Sequence, residues 1–181
     1  MAGEYRLETE RLTLLALDRE QLADCLEGPE ALAERLGLAM CDDLVSEAAR
    51  EAIEVKLQRM ALRPPEEYPW HTYWLMIARD AQVGIGLAGF KGTPSSQGIA
   101  EVGYGTCEPY RNRGYMTEAV RALISWAFQQ PRCKTIFADT DVTNLASQRV
   151  LEKSGLHRFG RAGGMYLWRL DRDEHERARP A

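Results

Sequence analysis

The stretch that decides the fold is Tyr110-Arg111-Asn112-Arg113-Gly114-Tyr115-Met116-Thr117-Glu118-Ala119, which lies between a strand-like segment and an amphipathic helix. A turn rich in Gly and Arg that opens directly into a helix aims free backbone N–H groups and the positive end of the helix dipole at one point. Arg111 and Arg113 add charge and forked donors that suit a phosphate ester. We therefore predict an anion site at residues 111–117, which we call the anion turn. The alternative interpretation is a solvated loop that caps a helix.

Strand and helix patterns alternate on both sides of this turn. The predicted strands are 12–17, 73–79, 83–91, 99–106, 135–140, 156–161 and 165–170. The predicted helices are 19–27, a segment after Pro29, 46–62 with Ser46 as N-cap, 116–128 and 145–153. A strand, helix, strand crossover usually joins parallel strands, so 99–106 and 135–140 are expected to be parallel. The patterns predict an α+β fold with helices on both sides of one mixed sheet.

Three motifs carry a resemblance to a known family. They are Glu8-Thr9-Glu10-Arg11-Leu12-Thr13-Leu14, Arg111-x-x-Gly114-x-Met116, and Asn144-x-x-Ser147-x-Arg149-Val150-Leu151-Glu152-Lys153-x-Gly155. Together they resemble the GCN5-related N-acetyltransferase superfamily, and within it the ribosomal-protein-acetylating branch. The similarity covers most of the chain, to about residue 170. Met116 departs from the family pattern, which usually has Gly or Ala at that position.

The resemblance implies a fold and a cofactor. The fold is a mostly antiparallel sheet of six or seven strands, with a central splayed parallel pair and flanking helices. The cofactor is acetyl-coenzyme A, whose pantetheine arm would bind along the main chain around Gly105, Thr106 and Cys107. Asn144 would cap the following helix and face the cofactor. The residues expected at the pyrophosphate are Arg111, Asn112, Arg113, Gly114, Tyr115, Met116 and Thr117, with Arg149 as a further source of positive charge.

The resemblance also implies direct transfer of an acetyl group to a primary amine in a ternary complex. An amine must be neutral to attack, and its pKa is about 8 for an α-amine and about 10.4 for a lysine, so a nearby base helps. Glu101 matches the family position of a base; alternatively it is a solvent-facing or salt-bridged carboxylate. The family often places a tyrosine acid where this chain has Leu151. Ser147, with Tyr104 or a water, is then the expected donor to the leaving thiolate, unless it is an ordinary small helix residue.

Composition limits the class of protein. The chain has 181 residues, 45% of them hydrophobic, which predicts a single domain of residues 1–181 with a charged tail at 171–181 that frays into solvent. The net charge of −4 argues against nucleic acid as a partner. Apolar runs fall short of the roughly 20 residues that a membrane helix needs, and the first residues do not resemble a signal peptide. A cytoplasmic protein is therefore expected.

The cysteines predict neither a metal site nor a disulfide framework. Cys25, Cys41, Cys107 and Cys133 are widely spaced, with no C-x-x-C pair and no histidine at metal-ligand spacing. We expect reduced, mostly buried thiols and no bound metal. The oligomeric state is open from the sequence; the resemblance allows a homodimer, since dimers through a terminal strand or hairpin are common in similar proteins.

Two alternative functions remain open from the sequence. A non-catalytic acyl-coenzyme A sensor of the same fold is the first, because Leu151 replaces the tyrosine acid. A nicotinamide oxidoreductase is the second, and it rests only on Gly84-x-Gly86-x-x-Gly89, whose apolar intervening residues are typical of a strand. The amine acceptor is open among protein α-amines, polyamines, aminoglycosides and small amines. An aromatic cluster at 70–74 either lines an acceptor pocket or packs in the core, the latter being expected for Trp74.

Overall fold

The computed structural model describes residues 5–178, and in that range the chain forms nine strands and seven α-helices. The strands are β1 (Arg6–Glu8), β2 (Leu12–Ala16), β3 (Ala39–Met40), β4 (Tyr73–Ala78), β5 (Val83–Phe90), β6 (Ile99–Thr106), β7 (Thr135–Asp141), β8 (His157–Ala162) and β9 (Met165–Asp171). The helices are α1 (Arg19–Glu27), α2 (Pro29–Leu36), α3 (Glu47–Met60), α4 (Tyr68–His71), α5 (Tyr115–Gln129), α6 (Leu145–Lys153) and α7 (Arg172–Ala178).

All nine strands belong to one mixed sheet. Its order is β1-β2-β4-β5-β6-β7-β9-β8, with the short β3 paired to β5. Neighbours along this path are antiparallel except β6 and β7, which are parallel as predicted, and β3 is also parallel to β5. The seven strands predicted from the residue pattern are all present; β1 and β3 were not predicted, because they have three and two residues, too few to show a strand pattern.

Helices cover both faces of the sheet, which confirms the predicted layers. On one face, Phe90 of β5 packs in a core with Leu123 of α5. On the other face, Leu75 and Leu87 of the sheet pack in a second core with Ile53 of α3. Successive side chains of a strand point to opposite sides, so hydrophobic residues at both sets of positions make both faces of the sheet apolar. The sheet therefore holds the anion turn, at the start of α5, on one side and α1 to α3 on the other.

Side-chain caps fix the ends of several helices. Ser46 accepts a hydrogen bond from Ala49 N–H (3.2 Å), so the predicted N-cap of α3 is confirmed. Asp18 and Gln21 form a reciprocal capping box at the start of α1. These local signals explain why the predicted helix starts agree with the structure to within a residue or two.

The two central strands separate along their length. β6 and β7 pair only from Ile99 with Thr135 to Glu101 with Phe137. Beyond this point β6 remains paired with β5, and β7 remains paired with β9 over its full length. The last part of β6 therefore has a free edge that faces a gap in the middle of the sheet. This confirms the expected splayed parallel pair.

The glycines of 84–89 lie on β5 and not in a turn that opens a helix, so the dinucleotide pattern has no structural support. A Cβ on Gly86 would lie 2.6 Å from the carbonyl oxygen of Gly105. Glycine is therefore needed here because β5 and β6 approach closely.

The expected fraying of the tail was wrong for residues 172–178, which form α7. The side chain of Arg172 donates to the carbonyls of Gln130 (2.7 Å) and Cys133, at the end of α5. The ring of His175 packs on Phe128 with centroids 5.3 Å apart. The charged composition did not show these long-range contacts. The last three residues of the tail, 179–181, lie outside the described residues.

No helix within residues 5–178 is both long enough and apolar enough to cross a membrane.

Candidate active site

A cleft of about 760 Å³ opens beside the free edge of β6. It is lined by residues 43–49, β6, the anion turn and α6. The predicted site residues that line it are Gly105, Thr106, Arg111, Asn112, Gly114, Tyr115, Met116, Thr117, Asn144 and Ser147. Glu101, Cys107 and Arg113 are not among its lining residues.

The anion turn has the backbone shape of an anion-binding nest. Asn112 and Gly114 have φ angles of 60° and 82°, so left-handed residues alternate with ordinary ones. Gly114 is the N-cap of α5, and no side chain among residues 5–178 caps this helix. The first N–H groups of α5 are therefore left for a ligand. Tyr115 and Met116 are buried, which anchors the helix start in the core.

Positive charge surrounds this turn. Arg111 lines the cleft, and its Nε donates to the carbonyl of Thr106 (3.0 Å). Arg149 and Lys153 of α6 line the opposite wall. Arg149 was predicted as a helper, whereas Lys153 was missed. Three cations beside a set of free N–H groups concentrate positive charge in this part of the cleft, in a chain whose net charge is −4.

The free edge of β6 presents main-chain groups to the gap. Cys107 N–H donates to a β5 carbonyl (2.9 Å), and the Glu101 carbonyl accepts from the residue that follows β5 (2.9 Å). Because residues alternate in their hydrogen bonding along an antiparallel pair, the odd residues of β6, including Gly105, point their main-chain groups at β5. Tyr104 and Thr106 point theirs into the gap. The main-chain contribution of Tyr104 was missed by sequence reasoning.

Tyr104 also joins β6 to α6 through its side chain. Its hydroxyl lies 3.0 Å from Ser147 Oγ and donates to the Ser147 carbonyl at 3.2 Å. Burial raises the pKa of Tyr104 to about 12, and the hydrogen bond to Ser147 offsets this only in part. The phenol is therefore protonated at neutral pH. Both side chains line the cleft, so the structure brings the predicted donor Ser147 together with Tyr104.

Asn144 fixes the start of α6. Its Oδ1 accepts a hydrogen bond from Ser147 N–H (3.0 Å), so the predicted N-cap is confirmed. This bond also sets the position of Ser147 relative to the cleft. Leu151, where the family often has a tyrosine, is fully buried and belongs to the core.

Glu101 lies on the face of β6 that points toward α1 to α3, outside the cleft. It forms an ion pair with Lys91, whose Nζ is 3.9 Å from Asp139. Gly103 and Gly105 follow it on the same face. A Cβ on Gly105 would contact nothing within 4 Å, and one on Gly103 would meet only Lys91 at 4.0 Å. An open strip on this face therefore connects Glu101 with the end of β6. The role of Glu101 as base stays a prediction.

Two of the four cysteines are not reduced, which corrects the sequence prediction. Cys41 and Cys107 form a disulfide across a sequence separation of 66 residues. They meet because β3 pairs with β5 and β5 with β6, a long-range arrangement that the spacing did not show. Cys25 and Cys133 are buried free thiols, as expected, and burial raises their pKa values to about 12 and about 11.

The disulfide joins the two walls of the cleft. Cys41 precedes Asp43 and Leu44, which line the cleft on the side of α3, and Cys107 follows the free edge of β6. Asp43 also accepts a hydrogen bond from Glu108 N–H (2.7 Å). The Asp43 carboxylate and the two sulfurs lie within 4.8 Å of one another, but sulfurs bonded to each other are not thiolate ligands.

A buried lysine supports the same wall. Lys56 of α3 donates to the carbonyls of Thr72 (3.2 Å) and Phe90, and its Nζ lies 4.6 Å from the centre of the Tyr73 ring. Burial, together with the positive charge of Arg59, lowers the pKa of Lys56 to about 7. Tyr73 is the aromatic residue of the 70–74 cluster that lines the cleft, and it was one of the acceptor-pocket candidates. Trp74, by contrast, is fully buried in the core as expected.

Residues 11–157 match the profile of the acetyltransferase (GNAT) domain. The uncharacterized N-acetyltransferase YjdG of Bacillus subtilis (strain 168) is 37% identical over 82 residues, which make up 45% of this chain and 49% of that protein. The aligned part of the chain thus spans about half the length of this relative.

Solved structures share the fold at low sequence identity. Ribosomal-protein-S5-alanine acetyltransferase from Vibrio fischeri superposes with a TM-score of 0.68 at 19% identity, over 94% of this chain and 98% of that one. AAC(6')-Ib in complex with paromomycin and acetyl-CoA superposes with a TM-score of 0.65 at 20% identity, over 94% and 99%. The profile match extends from the start of β2 to the start of β8, and the chain belongs to the acetyltransferase (GNAT) domain family.

Proposed function

We propose that this protein is an N-acetyltransferase that transfers the acetyl group of acetyl-CoA to a primary amine. One observation carries the proposal: the free edge of β6 runs directly into a nest of N–H groups at the start of α5. An extended arm and a diphosphate are the two parts of coenzyme A that such a combination fits. The family assignment and the acetyl-CoA complex of AAC(6')-Ib support the same ligand.

The diphosphate binds at the anion turn in this proposal. The free N–H groups of α5 donate to it, and Arg111, Arg149 and Lys153 supply neutralising charge. The pantetheine arm binds the N–H groups of Tyr104 and Thr106 by strand addition along the gap. The thioester then lies toward the point where β6 and β7 part, near the hydroxyl of Tyr104.

When bound, acetyl-CoA supplies a thioester carbonyl that an amine attacks, with release of the coenzyme A thiol. In this proposal Tyr104 and Ser147 donate hydrogen bonds to the leaving sulfur, and the Tyr104 hydroxyl turns from the Ser147 carbonyl to do so. The pKa of Tyr104, about 12, is well above that of an ordinary thiol, about 8.5. The phenol therefore stabilises the thiolate by hydrogen bonding and keeps its own proton, and the departing thiolate takes its proton from solvent. Ser147 acts with it because the two hydroxyl oxygens are 3.0 Å apart.

Glu101 is the proposed base. Its carboxylate is separated from the end of β6 by Gly103 and Gly105, whose missing side chains leave space for solvent or for the acceptor. The amine proton would pass to Glu101 through water along this strip. Lys91 holds the carboxylate in place through the ion pair.

For the acceptor we propose an amine of the ribosomal-protein type, that is, a protein α-amine. The support is the motif resemblance and the fold shared with ribosomal-protein-S5-alanine acetyltransferase. The sensor alternative rests on the absence of a tyrosine at Leu151. The Tyr104–Ser147 pair supplies a donor at the cleft by another route, which favours an enzyme.

The test is release of coenzyme A thiol from acetyl-CoA with a panel of acceptors: peptides with free α-amines, aminoglycosides, polyamines and small amines. We expect turnover with α-amine peptides, lowered by Glu101→Gln and by Ser147→Ala. Arg132→Ala is the matched control, because Arg132 is exposed and away from the cleft. Binding of acetyl-CoA without turnover on any acceptor would support the sensor, and turnover on aminoglycosides alone would contradict the proposed acceptor.

A further inference from the structure

Arg11 immediately precedes β2. Its side chain contacts the first turn of α5, although the two are far apart in the sequence. Its backbone N–H donates to Glu118 Oε1 (2.8 Å), and its Nε donates to Glu118 Oε2 (2.7 Å). Its Nη2 also lies 2.7 Å from Oε2, and Thr9 Oγ1 donates to Oε1 at 2.6 Å. Thr9 and Arg11, which precede Glu118 by 109 and 107 positions in the chain, thus satisfy both of its carboxylate oxygens. Hydrogen bonds of this charge-assisted kind are the strong ones.

The same guanidinium contacts the anion turn itself. Nη1 of Arg11 donates to the carbonyl of Arg113 (2.9 Å), and the group lies over the ring of Tyr115 at 4.5 Å from its centre. A Cβ on Gly114 would lie 3.3 Å from Arg11 Nη2. One side chain therefore contacts Arg113 and Tyr115 and lies beside Gly114 between them. Arg11 does not line the cleft, so it acts on a ligand through these residues.

The charge of Glu118 makes this contact matter for an anion. Glu118 lies in the first turn of α5, close to the N–H groups that would bind a diphosphate. Burial alone would raise its pKa, but the hydrogen bonds from Thr9 and Arg11 hold the pKa below its ordinary value. The group is therefore a carboxylate at neutral pH. Without a partner it would repel a diphosphate bound at the same helix end.

We propose that Arg11 is a positioning residue for acetyl-CoA: it holds the anion turn in its binding shape and neutralises Glu118 beside the diphosphate. The inference rests on the proposed function, since it assumes that the turn binds the diphosphate. Through Arg11 the segment before β2 contacts the start of α5, although the two are far apart in the sequence.

Calorimetric titration with acetyl-CoA tests the proposal. Arg11→Met is expected to weaken binding by about tenfold or more, because it removes charge-assisted hydrogen bonds and leaves Glu118 unpaired. In kinetic assays KM for acetyl-CoA should rise while kcat is retained. Arg79→Met is the matched control: the Arg79 side chain donates to the Thr9 carbonyl (2.9 Å) but does not contact the anion turn. Its effect on binding should stay within about twofold.

A charge rescue separates this role from a general loss of structure. Adding Glu118→Gln to Arg11→Met should recover part of the lost affinity, because the unpaired carboxylate is then gone. Arg11→Lys keeps the charge without the fork and should bind with intermediate affinity. Arg11→Met binding as tightly as Arg79→Met would overturn the proposal. A double variant as weak as Arg11→Met would overturn the neutralising role.

Amide hydrogen exchange gives a readout that needs no ligand. In Arg11→Met, the N–H groups of residues 118–121, which close the first turn of α5, should exchange faster than in the wild type, while those of β9 should be unchanged. Equal exchange in the turn would contradict positioning by Arg11. A wild-type chain that binds no acetyl-CoA would contradict the proposed function instead, and the exchange result would still decide the role of Arg11. If Arg11→Met does not fold, Arg11→Lys carries both measurements.

Discussion

Tyr104 and Ser147 are 43 residues apart in the chain and share a hydrogen bond in the cleft. The sequence named both as donors to the leaving group, but it did not show that their oxygens meet. That contact depends on the crossover from β6 through α5 to α6, which brings one residue of each element to the same gap. The sequence thus predicted a chemical role for each hydroxyl, and the fold shows that the two hydroxyls are hydrogen-bonding partners.

The paired donors lead to a prediction at this scale. Tyr104→Phe and Ser147→Ala should each lower kcat by about tenfold or more, since general acids and similar donors contribute about 10²–10⁴. The double variant should lose little more than either single one, because the two groups act as a unit. Steady-state kinetics with saturating acetyl-CoA measures this. Independent, multiplicative losses would contradict a shared role.

Lys56 leads to a second prediction, about stability. Its pKa is about 7 in the folded protein against an ordinary value of 10.5. Between these values the unfolded chain binds a proton that the folded chain does not, so the free energy of unfolding should rise with pH from about 7 upward. Below about pH 7 the contribution should level off, because both states are then protonated.

Lys56→Met should flatten this rise, by a few kcal/mol at most, and the exposed Lys134→Met should leave it unchanged. Urea denaturation at a series of pH values between 6 and 9 measures the difference. The same slope in all three proteins would show that Lys56 is protonated in the fold. The sequence analysis missed Lys56, although it stands among the apolar positions of α3 beside Ile53 and Met60.

At the scale of elements, local signals predicted well and long-range pairing did not. The spacing of apolar residues and the caps gave α3, α5 and α6, because these depend on residues within a few positions. The left-handed turn before α5 was readable from its glycine. The very short β3 and the helix α7 were missed, because their positions depend on distant partners: β5 for β3, and the end of α5 for α7.

The start of α6 gives a prediction for one element. Asn144→Ala removes the cap and should lower the free energy of unfolding by about 1 kcal/mol. It should also lower kcat, because Ser147 N–H loses the bond that fixes its place. Asn144→Asp keeps an acceptor and should restore most of both. Urea denaturation and initial rates check this; an unchanged kcat in Asn144→Ala would show that the cap does not position Ser147.

At the scale of the whole molecule, the disulfide ties the segment after β3 to the end of β6, the strand whose free edge lines the cleft. It closes a loop with a sequence separation of 66 residues, for which the chain-entropy model gives about 4 kcal/mol of stabilisation. Four scattered cysteines gave no hint of this pair. Their meeting depends on the order of strands β3, β5 and β6, which the spacing of cysteines does not encode.

The disulfide can be tested by counting thiols. In denaturant without reductant, two free thiols are expected, from Cys25 and Cys133, and four after reduction. Reductant should lower the free energy of unfolding of the wild type and leave Cys41→Ser unaffected. Four thiols before reduction would contradict the bond. Cys25→Ser is the control, because it should keep the dependence on reductant.

The most direct measurement is a crystal structure of the protein with coenzyme A. The diphosphate should accept hydrogen bonds from N–H groups of residues 112–117, with the pantetheine arm beside Tyr104 and Thr106 and the thiol near the Tyr104 and Ser147 hydroxyls. Coenzyme A bound elsewhere, or an anion turn that stays empty at saturating ligand, would contradict the proposed site and the function built on it.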